Sequence, residues 1–303
     1  MNTLYVITGP TASGKSALAV DLARQLDTEI ISADSRQIYK GIPIVTAVPT
    51  EEERGGVRHH LMEMLPLEAY YSASSFEQDA LNICRHLFTE KGCAVVCGGS
   101  MLYIDALCNG IDELPTVPDD IRQGLMAEWS GRGDDWLLEE LRRLDPESYA
   151  KVDRNNLKRV FHAVEITLTA GVPYSSLLTG SKVERDFRIV KVALNGERQR
   201  LFERINRRVE LMMAAGLEEE ARGVYPRRSL NSLNTVGLKE MFAWFDGLMT
   251  RDEAVARIQK NTRVYAKKQL TWHRRDDSLI WLDFDRDRER NVEIILQAGS
   301  ERK

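Results

Sequence analysis

Gly9-Pro-Thr-Ala-Ser-Gly14-Lys15-Ser16 is the stretch that decides the fold, and it fits Gly-x-x-x-x-Gly-Lys-(Ser/Thr) in full. The apolar, β-prone run Thr3–Thr8 precedes it, and apolar residues recur at helical spacing from Lys15 to Leu26. The glycines let the backbone curl so that successive N–H groups point inward, and a helix N-terminus favours an anion. We therefore predict a strand–loop–helix unit, a P-loop, that binds at least two linked phosphates.

Strand-like and helical segments alternate along much of the chain. Further strands are predicted over Glu29–Asp34, Cys93–Cys97, Arg188–Leu194 and Ser278–Asp283, and helices over Phe76–Thr89, Asn155–Thr169, Glu197–Met213 and Arg251–Trp272. Between about Thr116 and Arg185 the pattern is helical only. This order predicts an α/β fold, with a P-loop kinase-like parallel sheet covered by helices and an all-helical insertion domain. We place the core in residues 1–114 and 186–303, and the insertion in residues 115–185.

The composition excludes several classes of protein. The chain has 303 residues, of which 43% are hydrophobic and 29% charged, so it is neither disordered nor collagen-like. No apolar run approaches the roughly 20 residues of a membrane-spanning helix, and no signal peptide is apparent. We expect a cytoplasmic monomer without a membrane partner. The four cysteines lack zinc-site spacing and are expected to be structural.

The net charge of −4 hides an uneven distribution. Residues 1–114 have 8 basic and 15 acidic side chains, whereas residues 186–303 have 24 and 19, respectively. A basic later part suggests contact with a polyanion, because phosphates are bound by Lys and Arg. Charged helix surfaces that serve only solubility remain an equal alternative.

Lys15 and Ser16 define the predicted chemistry of the loop. Lys15 would meet the outer phosphate and the Ser16 hydroxyl would hold Mg²⁺. ATPases usually add a carboxylate at the end of a buried strand, but Cys93–Cys97 runs into Gly98-Gly99-Ser100. The absence of that acid argues against an ordinary ATPase.

Asp34 follows the second predicted strand. The carboxyl ends of parallel strands meet at one sheet edge, so Asp34 should lie beside the phosphate loop. We predict that it is a general base for a nucleophile brought to the bound phosphate ester. A solvated carboxylate that caps the next turn is the alternative.

Several stretches together resemble the tRNA dimethylallyltransferases, the tRNA isopentenyl-pyrophosphate transferases. They are the loop Gly9–Ser16, Asp34-Ser-Arg-Gln-Ile-Tyr39, Gly98-Gly-Ser-Met-Leu-Tyr103, Arg159 with Ala163-Val-Glu165, Gly237-Leu-Lys-Glu240, and Thr262-Arg-Val-Tyr-Ala-Lys-Lys-Gln269 with Thr271-Trp272. The matches occur in the family's order and extend over nearly the whole chain.

The resemblance implies transfer of a dimethylallyl group from dimethylallyl diphosphate to N6 of the adenosine just 3′ of the tRNA anticodon, with release of pyrophosphate. It implies catalytic roles for Asp34, Lys15, Ser16 and Arg198, and a metal role for Ser16 with Mg²⁺ as cofactor. The diphosphate cradle would comprise Gly9, Pro10, Thr11, Ala12, Ser13, Gly14, Lys15, Ser16 and Arg204.

The resemblance also implies that the insertion grips the anticodon stem. The residues expected to bind the tRNA anticodon stem-loop are Asp34, Ser35, Arg36, Gln37, Ser100, Arg122, Lys158, Arg159, Val160, Phe161, His162, Asn234, Thr235, Val236, Gly237, Leu238 and Lys239. Tyr265, Trp272 and His273 interleave with Arg263, Lys267, Lys268, Arg274 and Arg275, a pattern suited to RNA backbone contact and base stacking. Packing of these aromatic side chains is the alternative for that helix.

This sequence departs from the family pattern at several positions, among them Ser100, where Thr is usual. Val48, His162 and Leu238 stand where Lys, Arg and Tyr are usual, so tRNA choice or affinity could differ. His59-His60 is expected to be structural rather than metal-binding. Two other functions stay open at this point: an ATP-dependent small-molecule kinase, and an RNA-binding protein with little activity.

Overall fold

The computed structural model describes residues 1–180 and 182–300. The chain divides into two compact units, one formed by Met1–Asn109 with Glu184–Lys303 and the other by Gly110–Val183. The sequence-based boundaries were 114/115 and 185/186. The first boundary lies earlier because the last core helix before the insertion already ends at Asn109.

The first unit contains a six-stranded sheet whose pairings are all parallel. Its strands are β1 (Thr3–Thr8), β2 (Ile30–Ser32), β3 (His59–His60), β4 (Cys93–Cys97), β5 (Arg188–Asn195) and β6 (Ile280–Asp283), in the order β3-β2-β4-β1-β5-β6. β1 is buried along its whole length because helices cover both faces of the sheet. The predicted α/β fold class is confirmed.

Helices connect the strands of this sheet. Before the insertion they are α1 (Lys15–Gln25), α2 (Pro43–Thr46), α3 (Glu51–Arg54), α4 (Ala73–Lys91) and α5 (Met101–Asn109). In α1, Leu18, Leu22 and Ala23 are fully buried against the sheet core. The helical spacing after the glycine-rich loop therefore becomes the face that fixes the loop to the sheet.

The second unit, described by itself, contains helices and no strand among its described residues, as expected. It contains α6 (Asp119–Arg132), α7 (Asp134–Leu144), α8 (Pro146–Lys151), α9 (Leu157–Ala170) and α10 (Tyr174–Leu177). Leu137, Leu141 and Val164 are fully buried in its own core. Asp145 caps α8 by accepting a hydrogen bond from the Ser148 N–H at 2.9 Å.

The chain after the insertion adds α11 (Arg198–Ala214), α12 (Leu217–Val224), α13 (Leu238–Phe245), α14 (Arg251–His273) and α15 (Arg288–Ser300). A capping box formed by Thr250 and Glu253 starts α14. Within the described ranges, no helix combines the length and apolar character needed to cross a membrane.

The cysteines and the histidine pair have structural surroundings. The thiols are free, and in the described part of the chain no group of three or more His, Cys, Asp or Glu side chains could hold a metal. His60 Nε2 lies 2.5 Å from Glu29 Oε2, and His59 Nδ1 lies 2.9 Å from the Val57 carbonyl oxygen. The His60 contact ties β3 to the start of β2, and the His59 contact is local to its own segment.

Candidate active site at the carboxyl edge of the sheet

The glycine-rich loop joins β1 to α1 in a conformation that requires glycine. Gly9 has a φ of +134°, and a Cβ there would lie 2.6 Å from the Leu194 carbonyl oxygen on β5. Gly14, with a φ of +89°, precedes the first turn of α1. Lys15 Nζ donates to the Pro10 carbonyl at 2.7 Å. The ammonium group therefore folds back over the loop.

Asp34 lies beyond the end of β2, and β4 separates that strand from β1. Neighbouring strands are about 4.8 Å apart, so the loop and the Asp34 turn leave the sheet roughly 10 Å from each other. The turn after β4 stands between them and consists of Gly98, Gly99 and Ser100. A Cβ on Gly98 would lie 2.1 Å from the Ala33 carbonyl oxygen. No side chain can therefore stand at the position where an ATPase would carry its magnesium-binding acid.

Two adjoining cavities occupy this edge of the first unit. The first is lined by Lys15 and Ser16, together with Thr11, Ser32, Asp34, Gln37, Cys97, Gly99, Arg208, Tyr265 and Gln269, among others. The second, of about 340 Å³, is lined by Ser35, Arg36, Ser100, Asn234, Thr235, Val236 and Lys239, among others. Thr11, Asp34, Thr46, Arg208 and Tyr265 line both. Asp34 therefore lies between the cavity at the phosphate loop and the second, adjoining cavity.

Hydrogen bonds fix the orientation of the Asp34 carboxylate. Its Oδ1 accepts from the Arg36 N–H at 2.9 Å and from the Gln37 N–H at 3.3 Å. These bonds form a side-chain turn that ends the strand at Ser32, two residues earlier than predicted. Oδ2 bonds to none of the residues described by the structure. One oxygen thus holds the carboxylate in place, and the other remains able to accept a proton.

Arg208 was missed by the sequence analysis. It lies on α11 and lines both cavities, but its guanidinium makes no hydrogen bond or ion pair with another described residue. Burial lowers the pKa of Arg208, and the charge of Asp34 opposes that shift. A cation held in a cavity without a partner is suited to an anionic ligand. Arg208 follows Arg204 by four residues, which places the two on the same face of a helix. This spacing was the sequence signal that could have identified Arg208.

The two predicted cradle arginines differ in their placement. Arg204 lines a cavity with Gly14, Lys15 and Ser16, but it also pairs with Asp285 at 3.2 Å. Arg198 is exposed, lies 5.2 Å from the Phe202 ring centre and is not among the residues that line the two loop cavities described above. The catalytic role of Arg198 therefore stays a prediction. Six residues along a helix place it about 120° around the axis from Arg204.

The predicted RNA-contact residues near Asp34 bond mainly to the protein. Arg36 Nη1 donates to the Asn231 carbonyl at 2.9 Å, and Ser35 N–H donates to Ser100 Oγ at 2.8 Å. Gln37 Nε2 donates to the Thr46 and Ala47 carbonyls. Ser35, Arg36 and Ser100 therefore shape the second cavity, and Gln37 shapes the first.

The predicted stretch Asn234–Lys239 is mixed. Asn234 and Lys239 are exposed, but Leu238 is fully buried. The prediction of a tRNA contact is corrected for the Leu238 side chain, which packs in a core cluster with Leu233 and Met241. Helix α13 begins at Leu238, and successive helix residues point about 100° apart, so Lys239 reaches solvent while Leu238 packs in the core.

The predicted residues of the insertion are also mixed. Lys158 and Arg159 are exposed, Phe161 is half-buried against Trp129, and Val160 is fully buried, so an RNA contact is corrected for Val160. Arg122 Nε donates to the buried Glu165 carboxylate at 2.9 Å, and His162 Nδ1 lies 2.9 Å from the same group. Arg122 and His162 thus anchor α6 and α9 within this unit.

His273 was predicted with the RNA-facing aromatic residues of α14, but it is 4% exposed. Its Nε2 lies 3.0 Å from Thr8 Oγ1 at the end of β1. Burial lowers the pKa of His273 to about 4, with a smaller contribution from the charge of Lys15. The prediction is corrected: this face of α14 packs on the sheet, and the cations Lys267, Lys268, Arg274 and Arg275 are exposed.

The electrostatics of Lys15 make a pH dependence testable. Burial lowers its pKa to about 8, with nearby Arg208 also lowering it. Lys15 therefore loses its proton, and with it attraction for an anion, as pH rises through 8. Lys15→Arg keeps the charge at all these pH values because arginine stays protonated.

We expect the ratio of the Kd for inorganic pyrophosphate of the native chain to that of Lys15→Arg to rise about tenfold from pH 7 to pH 9. Isothermal titration calorimetry measures both, and the ratio cancels the titration of pyrophosphate itself. A ratio that stays constant would contradict the lowered pKa.

The residues around Ser16 provide oxygen donors for Mg²⁺. The exposed Ser16 hydroxyl shares one cavity with Asp34 and another with Glu53. Mg²⁺ prefers oxygen ligands and usually keeps several waters while binding one or two protein groups and phosphate oxygens. The donor set therefore fits this ion.

Comparison with known proteins relates this geometry to one family. The family model described as IPP transferase matches residues 37–276. A tRNA dimethylallyltransferase 2 of Parabacteroides distasonis is 50% identical over 285 residues, covering 94% of this chain and 95% of that protein. The tRNA dimethylallyltransferase 2 of Porphyromonas gingivalis is 50% identical over 287 residues, covering 95% and 96%, respectively.

Solved structures show the same similarity. The full-length tRNA isopentenylpyrophosphate transferase of Bacillus halodurans is 34% identical, with a TM-score of 0.73 and coverage of 99% of this chain and 96% of that one. A eukaryotic dimethylallyltransferase described as acting on tRNA is 25% identical, with a TM-score of 0.83 and coverage of 100% and 81%.

Proposed function

This chain belongs to the IPP transferase family, and on that premise we propose how its own residues carry out prenyl transfer to tRNA. The chain transfers the dimethylallyl group of dimethylallyl diphosphate to N6 of the adenosine just 3′ of the tRNA anticodon and releases pyrophosphate. The observation that carries the proposed site is the shared lining of the two cavities. Asp34 and Arg208 face both the phosphate loop and the adjoining space.

The donor diphosphate occupies the glycine-rich loop. Loop N–H groups, the helix N-terminus and the Lys15 ammonium supply positive potential for its oxygens. Arg208 adds a cation that has no protein partner in the described chain. Ser16, with Asp34 or Glu53 through water, would hold Mg²⁺, which supplies further charge neutralisation of the pyrophosphate when bound.

The adenine base occupies the second cavity, beside Asp34. A stacked base cannot reach the sheet edge, so the nucleotide must first flip out of its stack. The pocket formed by Ser35, Arg36 and Ser100 on one side and Thr235 on the other then surrounds it.

Bond breaking at the donor dominates the reaction because adenine N6 is a weak nucleophile. The C1–O bond breaks, its electron pair leaves with pyrophosphate, and N6 donates a pair to C1. Asp34 Oδ2 accepts the N6 proton as the new C–N bond forms. Lys15 and Arg208 stabilise charge where it develops on the leaving group, which lowers the barrier most.

The glycine turn that follows β4 argues against the kinase alternative. Two glycines stand where phosphoryl-transfer enzymes of this loop class carry a magnesium-binding acid, and Gly98 leaves no room for one.

The function is tested by incubating the chain with Mg²⁺, dimethylallyl diphosphate and an unmodified anticodon stem-loop. We expect mass spectrometry of the digested RNA to show prenylated adenosine. A stem-loop with guanosine at the target position should stay unmodified. ATP consumed with phosphorylation of an acceptor, and no prenylated nucleoside, would contradict the proposal.

A further inference from the structure

Gln269 on α14 places both atoms of its buried amide group on two different loops. The side chain is 2% exposed. Its Oε1 accepts from the Thr11 N–H in the phosphate loop at 3.0 Å, and its Nε2 donates to the Gly99 carbonyl at 2.9 Å. A backbone N–H can only donate and a carbonyl can only accept, so these partners allow one amide orientation.

The Gly99 turn continues the connection to the other side of the site. Ser100 N–H donates to the Ala33 carbonyl at 3.1 Å, and Ser35 N–H donates to Ser100 Oγ at 2.8 Å. A continuous run therefore leads from Thr11 through Gln269, Gly99 and Ser100 to the Asp34 turn. We call this run the Gln269 bridge.

A second contact one helical turn later holds α14 in place. Thr8 Oγ1 donates its single proton to the Gly98 carbonyl at 3.1 Å, so His273 Nε2 must donate to Thr8 Oγ1. Gln269 thus fixes α14 to the phosphate loop, and His273 fixes the same helix to the end of β1. The rotation and height of α14, and with them the position of the Gln269 amide, are set by the sheet.

We propose that Gln269 is a positioning residue that fixes the spacing between the donor loop and the Asp34 turn. This inference rests on the proposed function, in which C1 of the donor and N6 of the acceptor approach each other from the two sides of the turn after β4. Misplacement of reacting groups by about 1 Å can cost about 100-fold in rate. The loss should appear in kcat, because the groups that bind each substrate remain in place.

Gln269→Glu tests the bridge with little change in volume. One carboxylate oxygen can still accept from Thr11, but the other faces the Gly99 carbonyl, and the repulsion opens that side. We expect kcat to fall about 30- to 100-fold, with KM for dimethylallyl diphosphate and Kd for the stem-loop within about threefold of the native values. The backbone amide hydrogens of Ser35 and of the residues next to Gly99 should also exchange faster with solvent. Hydrogen-exchange mass spectrometry measures this exchange.

Gly99→Ala disturbs the same contact from the opposite side, because its Cβ would lie 2.3 Å from Gln269 Nε2. We expect a similar fall in kcat, and the double variant should lose little more than either single one. Gln259→Glu, on the same helix and with a side chain that makes no hydrogen bond to a described residue, is the matched control and should keep native kcat.

The outcomes separate this inference from the proposed function. A native chain that prenylates the stem-loop, with Gln269→Glu retaining kcat within threefold, overturns the positioning role. A fall in kcat that is accompanied by a comparable loss of stem-loop affinity and by a lower Tm also overturns it. So does a double variant whose fall in kcat equals the product of the two single falls. A native chain that makes no prenylated nucleoside refutes the proposed function instead, while the exchange measurement still reports whether the bridge exists.

Discussion

Asp34→Asn is expected to lower kcat for prenyl transfer about 1,000-fold, within the range typical of lost general-base catalysis. The amide oxygen of Asn can still accept from the Arg36 and Gln37 N–H groups that hold Asp34 Oδ1. The turn therefore keeps its shape, while the group that replaces Oδ2 can no longer take the N6 proton. Single-turnover kinetics with saturating stem-loop measures the chemical step.

Stem-loop affinity separates this loss from misfolding. Fluorescence anisotropy should give the same Kd for Asp34→Asn and the native chain within about threefold, because the lost step is a proton transfer rather than a binding contact. Native kcat in the variant would exclude Asp34 as the base. A parallel loss of binding would assign it to RNA recognition alone.

Arg208→Gln is expected to lower kcat about 100- to 1,000-fold, because it removes one preorganised charge from the leaving group. Tm should rise or stay unchanged, since a half-buried guanidinium without a described protein partner is costly to the folded state. Steady-state kinetics and thermal unfolding of the same preparations measure both effects.

Arg200→Gln is the matched control for this substitution. Arg200 lies two turns earlier on α11, and its exposed side chain pairs with Asp285 at 3.1 Å. A surface ion pair of this kind contributes about 0–1 kcal/mol, so Arg200→Gln should keep native kcat and nearly native Tm. If Arg208→Gln keeps native kcat while Tm falls, Arg208 is structural rather than part of the diphosphate site.

The parts predicted well from sequence are those fixed by local backbone chemistry. The loop Gly9–Ser16 requires positive φ at its first glycine and a following helix, and both are written in its residue types. The alternation of strand-like and helical segments predicted the parallel sheet, because these residue patterns are also local features of the sequence. The short β3 strand was missed because two residues carry little periodicity. Helices α5, α12 and α13, of about two turns each, and α15, which follows a charged stretch, were also not predicted.

The side-chain environment was harder to predict, because it depends on which face of each helix meets the sheet. Arg198 and Arg208 are the same residue type on one helix, yet Arg208 is the one that lines the two cavities beside Asp34. His273 looked like part of a basic, aromatic RNA surface but is buried against Thr8. Motif resemblance marked the segment, whereas helix rotation decided which of its residues reach the site.

The most direct test of the central claim follows the oxygen between C1 and the first phosphorus of the donor. The chain is incubated with Mg²⁺, the stem-loop and dimethylallyl diphosphate carrying ¹⁸O at that bridge, and the products are analysed by mass spectrometry. We predict that all the label stays in pyrophosphate, because the C1–O bond breaks, and that the prenylated adenosine carries none. Label left in a dimethylallyl alcohol or in the RNA, with phosphate transferred instead, would contradict the account.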